Sequence, residues 1–189
     1  MQLRPRAFLP LTVLLATVAP CGWSQSSQSS TTSSAVRLPA PGGAIVASDS
    51  AQFRRQYGEW HYAPTRISGD LVVISGVVAL VPPDGHTPLT SRQLEDCFRS
   101  AWARIGQLLG ASGSSFHDVV EISSFHVLTT PLVAGTAQDH LESFRRVKDE
   151  FVFAPYPSWT GVGVAALFAE RGLAEIRVMA RIPARPSTP

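Results

Sequence analysis

The segment Leu173–Ile182 constrains the fold more than any other part of the chain. Its sequence, LAEIRVMARI, alternates between two kinds of residue, and successive side chains of a strand point to opposite faces. One face carries only the apolar residues Ala174, Ile176, Val178, Ala180 and Ile182. The other face carries Glu175, Arg177, Met179 and Arg181. We therefore predict a strand with one face packed under helices and the other face solvated or covered by another subunit.

Two amphipathic helices are predicted to cover the apolar face of this strand. The first spans Thr90–Gly110, with Thr90 and Gln93 as a capping box and Gly110 as its C-terminal stop. The second spans Val133–Phe151, and in both segments apolar residues recur at helical spacing. Cys97 lies on the apolar face of the first helix, so we interpret it as a small buried hydrophobe rather than a nucleophile.

The remaining segments predict further strands of the same sheet. Apolar, β-branched runs lie at Leu71–Leu80 and Val119–Leu128, and the segment from Gln52 to Ile67 is interpreted as a hairpin arm. The segment APYPSWTGVGVAAL, Ala154–Leu167, is a further strand. The element order is β-β-α-β-α-β-β. This order predicts an α+β fold with a mixed sheet and two helices on one face.

The N-terminal region is typical of an exported protein. Arg4 and Arg6 precede an apolar stretch and then small residues, which is the layout of a secretory signal. We therefore predict a periplasmic or secreted protein. Cys21 in VAPC resembles a lipoprotein box, and a membrane anchor is expected only if Cys21 is lipidated. The predicted organisation is a signal peptide at 1–24, a flexible leader rich in Ser, Thr, Pro and Gly at 25–51, a domain at 52–183 and a tail at 184–189.

Charge, histidine spacing and cysteine content argue against a nucleic-acid partner, a metal site and a disulfide. The chain has 16 basic and 14 acidic residues, and loss of Arg4 and Arg6 with the signal leaves 14 of each. Because phosphate neutralisation supplies most of the affinity for nucleic acid, we expect no nucleic-acid partner. The five histidines show no tight ligand spacing and the sequence has no CxxC, so we predict no metal site. Cys97 alone would remain after cleavage, which excludes an internal disulfide.

Several features in a fixed order resemble the YjgF/RidA family. They are ISG after a Gly-Asp turn, the GVGVAAL strand and the closing LAEIRVMA, and the similarity covers Gln52 to Pro183. The resemblance implies a chorismate-mutase-like fold and a homotrimer with small-molecule clefts between subunits. It also implies hydrolysis of reactive enamines and imines to keto compounds and ammonia, without a metal or an organic cofactor.

The resemblance assigns roles to individual positions. Glu175 matches the glutamate that positions or activates water, Tyr62 matches a tyrosine near the first strand, and Ser75 stands in the usual SG position. The family's arginine, which grips the substrate carboxylate, is replaced by Trp159 in PSWT. Indole has one N–H donor and no charge, whereas a guanidinium offers two parallel donors. The substitution therefore weakens the expectation that the same substrate is used.

The surroundings of Trp159 leave two interpretations open. Trp159 is either an aromatic floor for a flat ligand or a plug in a dead site. A hairpin between the strands from Ser158 and Leu173 would place Gly161 and Gly163 on the Glu175 face, with Gly163 opposite Arg177. Arg177 could then supply a displaced positive charge to the cleft. The alternative is that Arg177 pairs with an acid at the trimer interface.

Three functions follow from these residues. The first is hydrolytic deamination of an imine or enamine of the 2-iminobutanoate or 2-iminopropanoate type, with Glu175 ordering water. The second is non-catalytic binding of a small aromatic or carbonyl metabolite, with Trp159 as the stacking surface. The third is the ribonuclease role known for some relatives, against which the neutral charge weighs. A cation in the cleft would favour the first, because an amino-acid-derived substrate carries a carboxylate.

Overall fold

A computed structural model describes residues 34–83, 85 and 87–184. Its strands are β1 (Val36–Ala40), β2 (Gly43–Ala47), β3 (Thr65–Ser68), β4 (Leu71–Leu80), β5 (Val119–His126), β6 (Ser158–Gly163) and β7 (Gly172–Arg181). Its helices are α1 (Ser50–Phe53), which continues as a π-helical segment (Arg54–Glu59), α2 (Ser91–Ser112) and α3 (Ala137–Lys148), with a short 3-10 turn at Phe116–Asp118. The predicted signal at 1–24, Cys21, the start of the leader and most of the tail lie outside the described residues.

The seven strands form one mixed sheet in the order β1-β2-β3-β4-β7-β5-β6. Neighbouring strands are antiparallel except β5 and β6, which are parallel because α3 carries the chain back across the sheet between them. The helices α2 and α3 pack against each other, and α2 also contacts β4 and β7. The α+β prediction of a mixed sheet with two helices on one face is confirmed. None of the described helices is both long enough and apolar enough to cross a membrane.

The central strand β7 has the two faces that its alternation predicts. Ala174, Ile176, Val178 and Ala180 are fully buried, whereas Glu175, Arg177 and Met179 are partly exposed. The buried face packs under the largest core side chains, which are Trp102, Phe98 and Phe144 of the two long helices. The sheet therefore has a helix-covered face and an open face, and each side chain of β7 belongs clearly to one of them.

The segment predicted as a flexible leader is ordered from Val36 onward, which corrects the predicted domain boundary. β1 and β2 form a hairpin at the edge of the sheet, and β2 pairs with β3. Ala44, Val46 and Ala47 are buried, so this short apolar run outweighs the Pro- and Gly-rich composition around it. The predicted hairpin arm from Gln52 is present only at its end, where Thr65–Ser68 pairs with β4, because the segment starts as α1 and the π-helical segment.

The predicted hairpin between β6 and β7 is wrong. β7 lies between β4 and β5, and β6 forms the far edge of the sheet beside β5. The physical reason is the crossover through α3, which delivers β6 parallel to β5 and leaves the position beside β4 to β7. The predicted positions of Gly161 and Gly163 on the Glu175 face, and of Gly163 opposite Arg177, depended on this hairpin and change with it.

The helix α2 begins at its predicted start, whereas the start of α3 and the ends of both helices differ from the prediction. Thr90 and Gln93 form the predicted capping box of α2. The helix runs past Gly110 and ends before Gly113, which has the left-handed φ of 82° that favours glycine. α3 is shorter than predicted because Thr136 caps its N-terminus through a second capping box, with Asp139.

Candidate functional site

The second half of β4 has an uncovered edge. β3 pairs only with Leu71–Ile74, so Ser75–Leu80 is joined to β7 on one side and to no strand of the described residues on the other. Ser75 and Gly76 form a β-bulge at the point where this edge begins, since the pairing with β7 shifts between Ile74 and Val77. Bulges of this kind re-aim neighbouring side chains.

A cavity of about 750 Å³ lies along the uncovered edge. One wall is a face of α1 and the π-helical segment, where Gln52, Arg55 and Gln56 recur at the i, i+3, i+4 spacing of neighbours on a helix. A second wall is a face of α2, with Cys97, Ser100, Ala101 and Arg104. Its mouth is lined by the exposed side chains Trp60, Tyr62, Leu80 and Phe168.

Glu175 reaches this cavity from the neighbouring strand. It pairs with Val78 on the open face of the sheet and lines the cavity. Its side chain passes so close to the backbone of Gly76 that a Cβ at Gly76 would overlap the carboxylate. Among the described residues, no side chain donates a hydrogen bond to this carboxylate or forms an ion pair with it. The glycine of the SG pair is therefore what lets the carboxylate lie over β4.

Ser75 anchors the segment that carries Tyr62. The Ser75 hydroxyl donates to the Ala63 carbonyl at 2.7 Å, and the Ser75 amide donates to the Pro64 carbonyl at 2.9 Å. Both Ser75 and Tyr62 line the cavity. The structure thus brings together Glu175, Ser75 and Tyr62, three of the residues that were predicted as a site. Because its proton goes to Ala63, the Ser75 hydroxyl holds the wall of the cavity in place.

Two arginines line the same cavity. Arg104 forms an ion pair with Asp49 at 3.2 Å, and Asp49 also caps α1 by accepting a hydrogen bond from the Gln52 amide. The hydrogen bond from the Gln52 amide lowers the pKa of Asp49, with a smaller contribution from Arg104. Arg55 is exposed, and no acidic side chain of the described residues forms an ion pair with it. The cavity therefore contains a cation that is free to meet an anion.

Cys97 is also part of this cavity wall. It is 6% exposed, as predicted for a small buried hydrophobe. Burial raises the pKa of the Cys97 thiol, and the nearby Asp96 charge raises it further. The thiol is therefore protonated near neutral pH and is poorly suited to act as a nucleophile.

Trp159 lies on the opposite face of the sheet from Glu175, which corrects the prediction that they share a face. Its parallel partner on β5 is Ile122, which is buried under the helices. The indole N–H donates to the Ser124 hydroxyl at 2.9 Å, and the indole packs against Phe144, with ring centroids 5.9 Å apart. The Lys148 ammonium lies 5.4 Å from the indole centroid. Trp159 is accordingly a wall of the helix-covered layer and does not line the Glu175 cavity.

Exposed Trp159 begins a chain of polar groups that continues through the buried Ser124, His126 and His140, and we call these four residues the Trp159 cluster. The Ser124 oxygen is 2.9 Å from His126 Nε2, and His126 Nδ1 is 3.3 Å from His140 Nε2. Burial lowers the pKa of each histidine to about 4, and for His126 the neighbouring His140 adds to the effect. Both imidazoles are therefore neutral near pH 7, and His126 is a hydrogen-bonded structural histidine.

Arg177, Gly161 and Gly163 do not contribute to the cavity. Arg177 lies on the open face, with its guanidinium 3.8 Å from Glu121 and 3.6 Å from the Met179 sulfur. Gly161 and Gly163 pair with Ser124 and His126 on the helix-covered face. The hypothesis that the glycines make room for Arg177 to reach the cleft is wrong, because the parallel register of β6 puts them on opposite faces.

Known proteins resemble this chain over most of its length. Residues 55–182 match the protein family described as Endoribonuclease L-PSP. The RutC family protein YjgH of Escherichia coli is 35% identical over 128 residues, which are 67% of this chain and 87% of YjgH. This chain belongs to the YjgF/RidA family. The predicted family is thereby confirmed.

Solved structures of the family support the fold. A structure titled Protein YJGH has a TM-score of 0.53 and 32% identity, covering 68% of this chain and 89% of that one. NMB1025 of Neisseria meningitidis, a member of the YjgF protein family, has a TM-score of 0.51 and 19% identity, covering 66% of this chain and 89% of that one. At the latter identity the likeness concerns the fold alone.

Sequence reasoning missed most of the cavity. Arg55 and Gln56 were not singled out, because the segment from Gln52 was interpreted as a hairpin arm, and Arg104 was not singled out although its helix was predicted. A signal was nevertheless present, since Asp49 followed three residues later by Gln52 is the N-cap and N3 pattern that starts a helix. Within the described residues, no group of three or more His, Cys, Asp and Glu side chains is arranged to hold a metal ion.

Proposed function

We propose that this YjgF/RidA protein hydrolyses an imine, or the imine form of an enamine, in the cavity beside Glu175. The observation that carries the proposal is the Glu175 carboxylate, which lies over Gly76 at the cavity wall and has no partner among the described side chains. A carboxylate in such a position is free to accept a proton from water. This activity corresponds to a 2-iminobutanoate or 2-iminopropanoate type of deaminase.

The proposed reaction needs only water and proton transfer. The water oxygen adds to the carbon of the protonated imine while Glu175 accepts a proton from that water, which gives a neutral carbinolamine. Glu175 then gives the proton to the nitrogen. As the carbon–nitrogen bond breaks, the carbinolamine hydroxyl gives its proton to Glu175, which passes it to ammonia or bulk water, and ammonia and the carbonyl compound leave. Gln56 supports this arrangement, because its buried side-chain oxygen has no hydrogen-bond donor among the described residues and could accept from a substrate N–H.

A second candidate function is non-catalytic binding of a small aromatic or carbonyl metabolite. Trp60, Tyr62 and Phe168 are 63%, 41% and 98% exposed at the mouth of the cavity, and exposed aromatic rings are suited to stacking a flat ligand. In this candidate function the stacking surface is the cavity mouth and not Trp159.

Assembly as a homotrimer and export to the periplasm or medium remain part of the proposal. The partly exposed apolar side chains of the open face, such as Val73, Phe125 and Met179, support a covering subunit.

The decisive experiment is a coupled assay in which an oxidase or lyase generates 2-aminoacrylate or a bulkier imine and keto-acid release is followed. We expect the protein to accelerate release, and Glu175→Gln to reduce the acceleration by about a hundredfold or more. Glu121→Gln is the matched control, because Glu121 is an acid of the same sheet face that lies outside the cavity. Release at the background rate with wild type, together with ligand binding, would favour the non-catalytic binder.

A further inference from the structure

We propose that Arg55 and Arg104 bind the carboxylate of the ligand, so that the cavity takes anionic imines with a bulky apolar or aromatic side chain. The reacting group in this assignment rests on the proposed hydrolysis, but the binding of the anion does not. The assignment gives the substrate grip to helical residues on the walls of the Glu175 cavity.

The charges around the cavity support an anion subsite. Its charged lining residues are Arg55, Arg104 and Glu175. Asp49 forms an ion pair with Arg104 but does not itself line the cavity. Arg55 remains without an acidic partner among the described residues. A ligand carboxylate would therefore meet a guanidinium that no acidic side chain occupies, which is the charge-assisted bond that favours carboxylates.

Helix geometry directs both arginines to one space. Arg55 follows Gln52 by three residues on the wall built by α1 and the π-helical segment. Arg104 follows Ser100 by four residues on the facing wall built by α2, and Cys97 lies one turn earlier on the same face. Since residues at these spacings share a helix face, the two guanidinium groups approach the cavity from two sides. π-helical segments occur frequently at functional sites.

The cavity has room for more than a small acid. Its volume of about 750 Å³ lies within the range of pockets that hold drug-sized ligands. Trp60, Tyr62 and Phe168 provide apolar surface at the mouth, whereas the two arginines lie on the helical walls. A ligand with a carboxylate at one end and a bulky apolar group at the other matches this division.

The test is a calorimetric titration with phenylpyruvate, the keto acid of an aromatic 2-imino acid, and with its uncharged methyl ester. We expect wild type to bind the acid at least about tenfold more tightly than the ester. Arg55→Gln should remove most of that preference and leave the affinity for the ester unchanged, and Arg55→Lys should retain part of it. Arg54→Gln is the matched control, because Arg54 is the exposed neighbour that does not line the cavity.

Arg104→Gln provides an independent measurement. It should also weaken the acid selectively, and thermal unfolding of the same variant reports any effect of losing the Asp49 pair. Equal affinity for acid and ester in wild type, binding of neither, or an unchanged preference in Arg55→Gln would overturn the anion subsite.

The same experiments separate this inference from the proposed hydrolysis. Arg55-dependent binding of the acid without imine hydrolysis would support the subsite and overturn the catalytic function. Hydrolysis that depends on Glu175, together with equal affinity for the acid and the ester, would support the catalytic function and overturn the anion subsite.

Discussion

The cavity beside Glu175 and the Trp159 cluster both concentrate polar groups, but only one of them satisfies those groups internally. In the Trp159 cluster each residue has a hydrogen-bond partner within the cluster, from the indole through Ser124 to His126 and His140. In the cavity, Glu175 and Arg55 have no ion pair within the described residues, and the Gln56 oxygen has no donor there. Buried polar networks that are complete stabilise a fold, whereas open groups around a cavity are available to a ligand.

The difference shows why a family motif position is a poor guide when the residue changes. The position that carries an arginine in the deaminase-type pattern is occupied here by an indole that is bonded to Ser124 and packed on Phe144. The arginines that line the Glu175 cavity are instead Arg104 of α2 and Arg55, the first residue of the matched family region.

The largest expected effect is on stability in acid and belongs to the Trp159 cluster. His126 and His140 have a pKa of about 4 in the folded protein and an ordinary value of 6.5 when unfolded. The unfolded chain therefore binds more protons below pH 6.5, and their contribution to stability is lost as pH falls toward 4. Each histidine that titrates independently should cost roughly 2 kcal/mol of unfolding free energy between about pH 6.5 and about pH 4.5.

Urea unfolding at a series of pH values measures this loss. His140→Gln should reduce the dependence on pH in this window, because one of the two buried imidazoles is removed. An unchanged slope in the variant would contradict the assignment of the loss to the histidine pair.

The second prediction concerns the cavity. Gly76→Ala should reduce the rate of imine hydrolysis by a factor between about ten and about a hundred. If the protein is a binder, ligand affinity should fall by the same factor. The added Cβ occupies the space of the Glu175 carboxylate, which must turn away. Because the end of a flexible side chain can move, unfolding free energy should fall by no more than about 1 kcal/mol. A variant that remains folded and fully active would separate Glu175 from the function.

A third, smaller effect is expected at the Trp159 indole. Trp159→Phe keeps an aromatic ring beside Phe144 and removes the hydrogen bond to Ser124. Unfolding free energy should fall by about 1 kcal/mol, the usual net worth of such a bond. Binding of phenylpyruvate should not change if the indole acts only within its own layer. A large loss of affinity would show that Trp159 contributes to a ligand site.

The smallest effect is expected at Gly161, which is the counterpart of Gly76 in the other region. A Cβ at Gly161 would meet the Ser124 oxygen and the indole at 3.6 Å, which is ordinary contact. Gly161→Ala should therefore raise unfolding free energy by about 0.5 kcal/mol through lower entropy of the unfolded chain. Chemical unfolding and the imine assay, run beside Gly76→Ala, would show whether only one of the two strand glycines is required for function.

The sequence predicted those features that depend on periodicity within one element. The alternation of Leu173–Ile182 identified the faces of β7, and the Thr90 capping box located the start of α2. The family followed from short motifs in a fixed order. Glu175, Ser75 and Tyr62 were found in the same way, and they do lie around one cavity.

The features that were missed depend on which strands become neighbours. The face occupied by Trp159 followed from an assumed hairpin, and a strand pattern alone does not say whether the partner of β6 is β5 or β7. The wall that contains Arg55 was missed for a different reason. Its helix is only four residues long before it widens into the π-helical segment, so the apolar periodicity that identifies longer helices is absent.

The segment that precedes the matched family region contributes to the cavity along the uncovered edge of β4. The matched family region begins at Arg55, yet Asp49 and Gln52 lie before it and help to form the cavity wall. A chain trimmed to the matched region would lose α1 with its cap, the partner of Arg104 and two strands of the sheet. Changes in this upstream segment can therefore alter the lining of the cavity while the shared core and Glu175 stay the same.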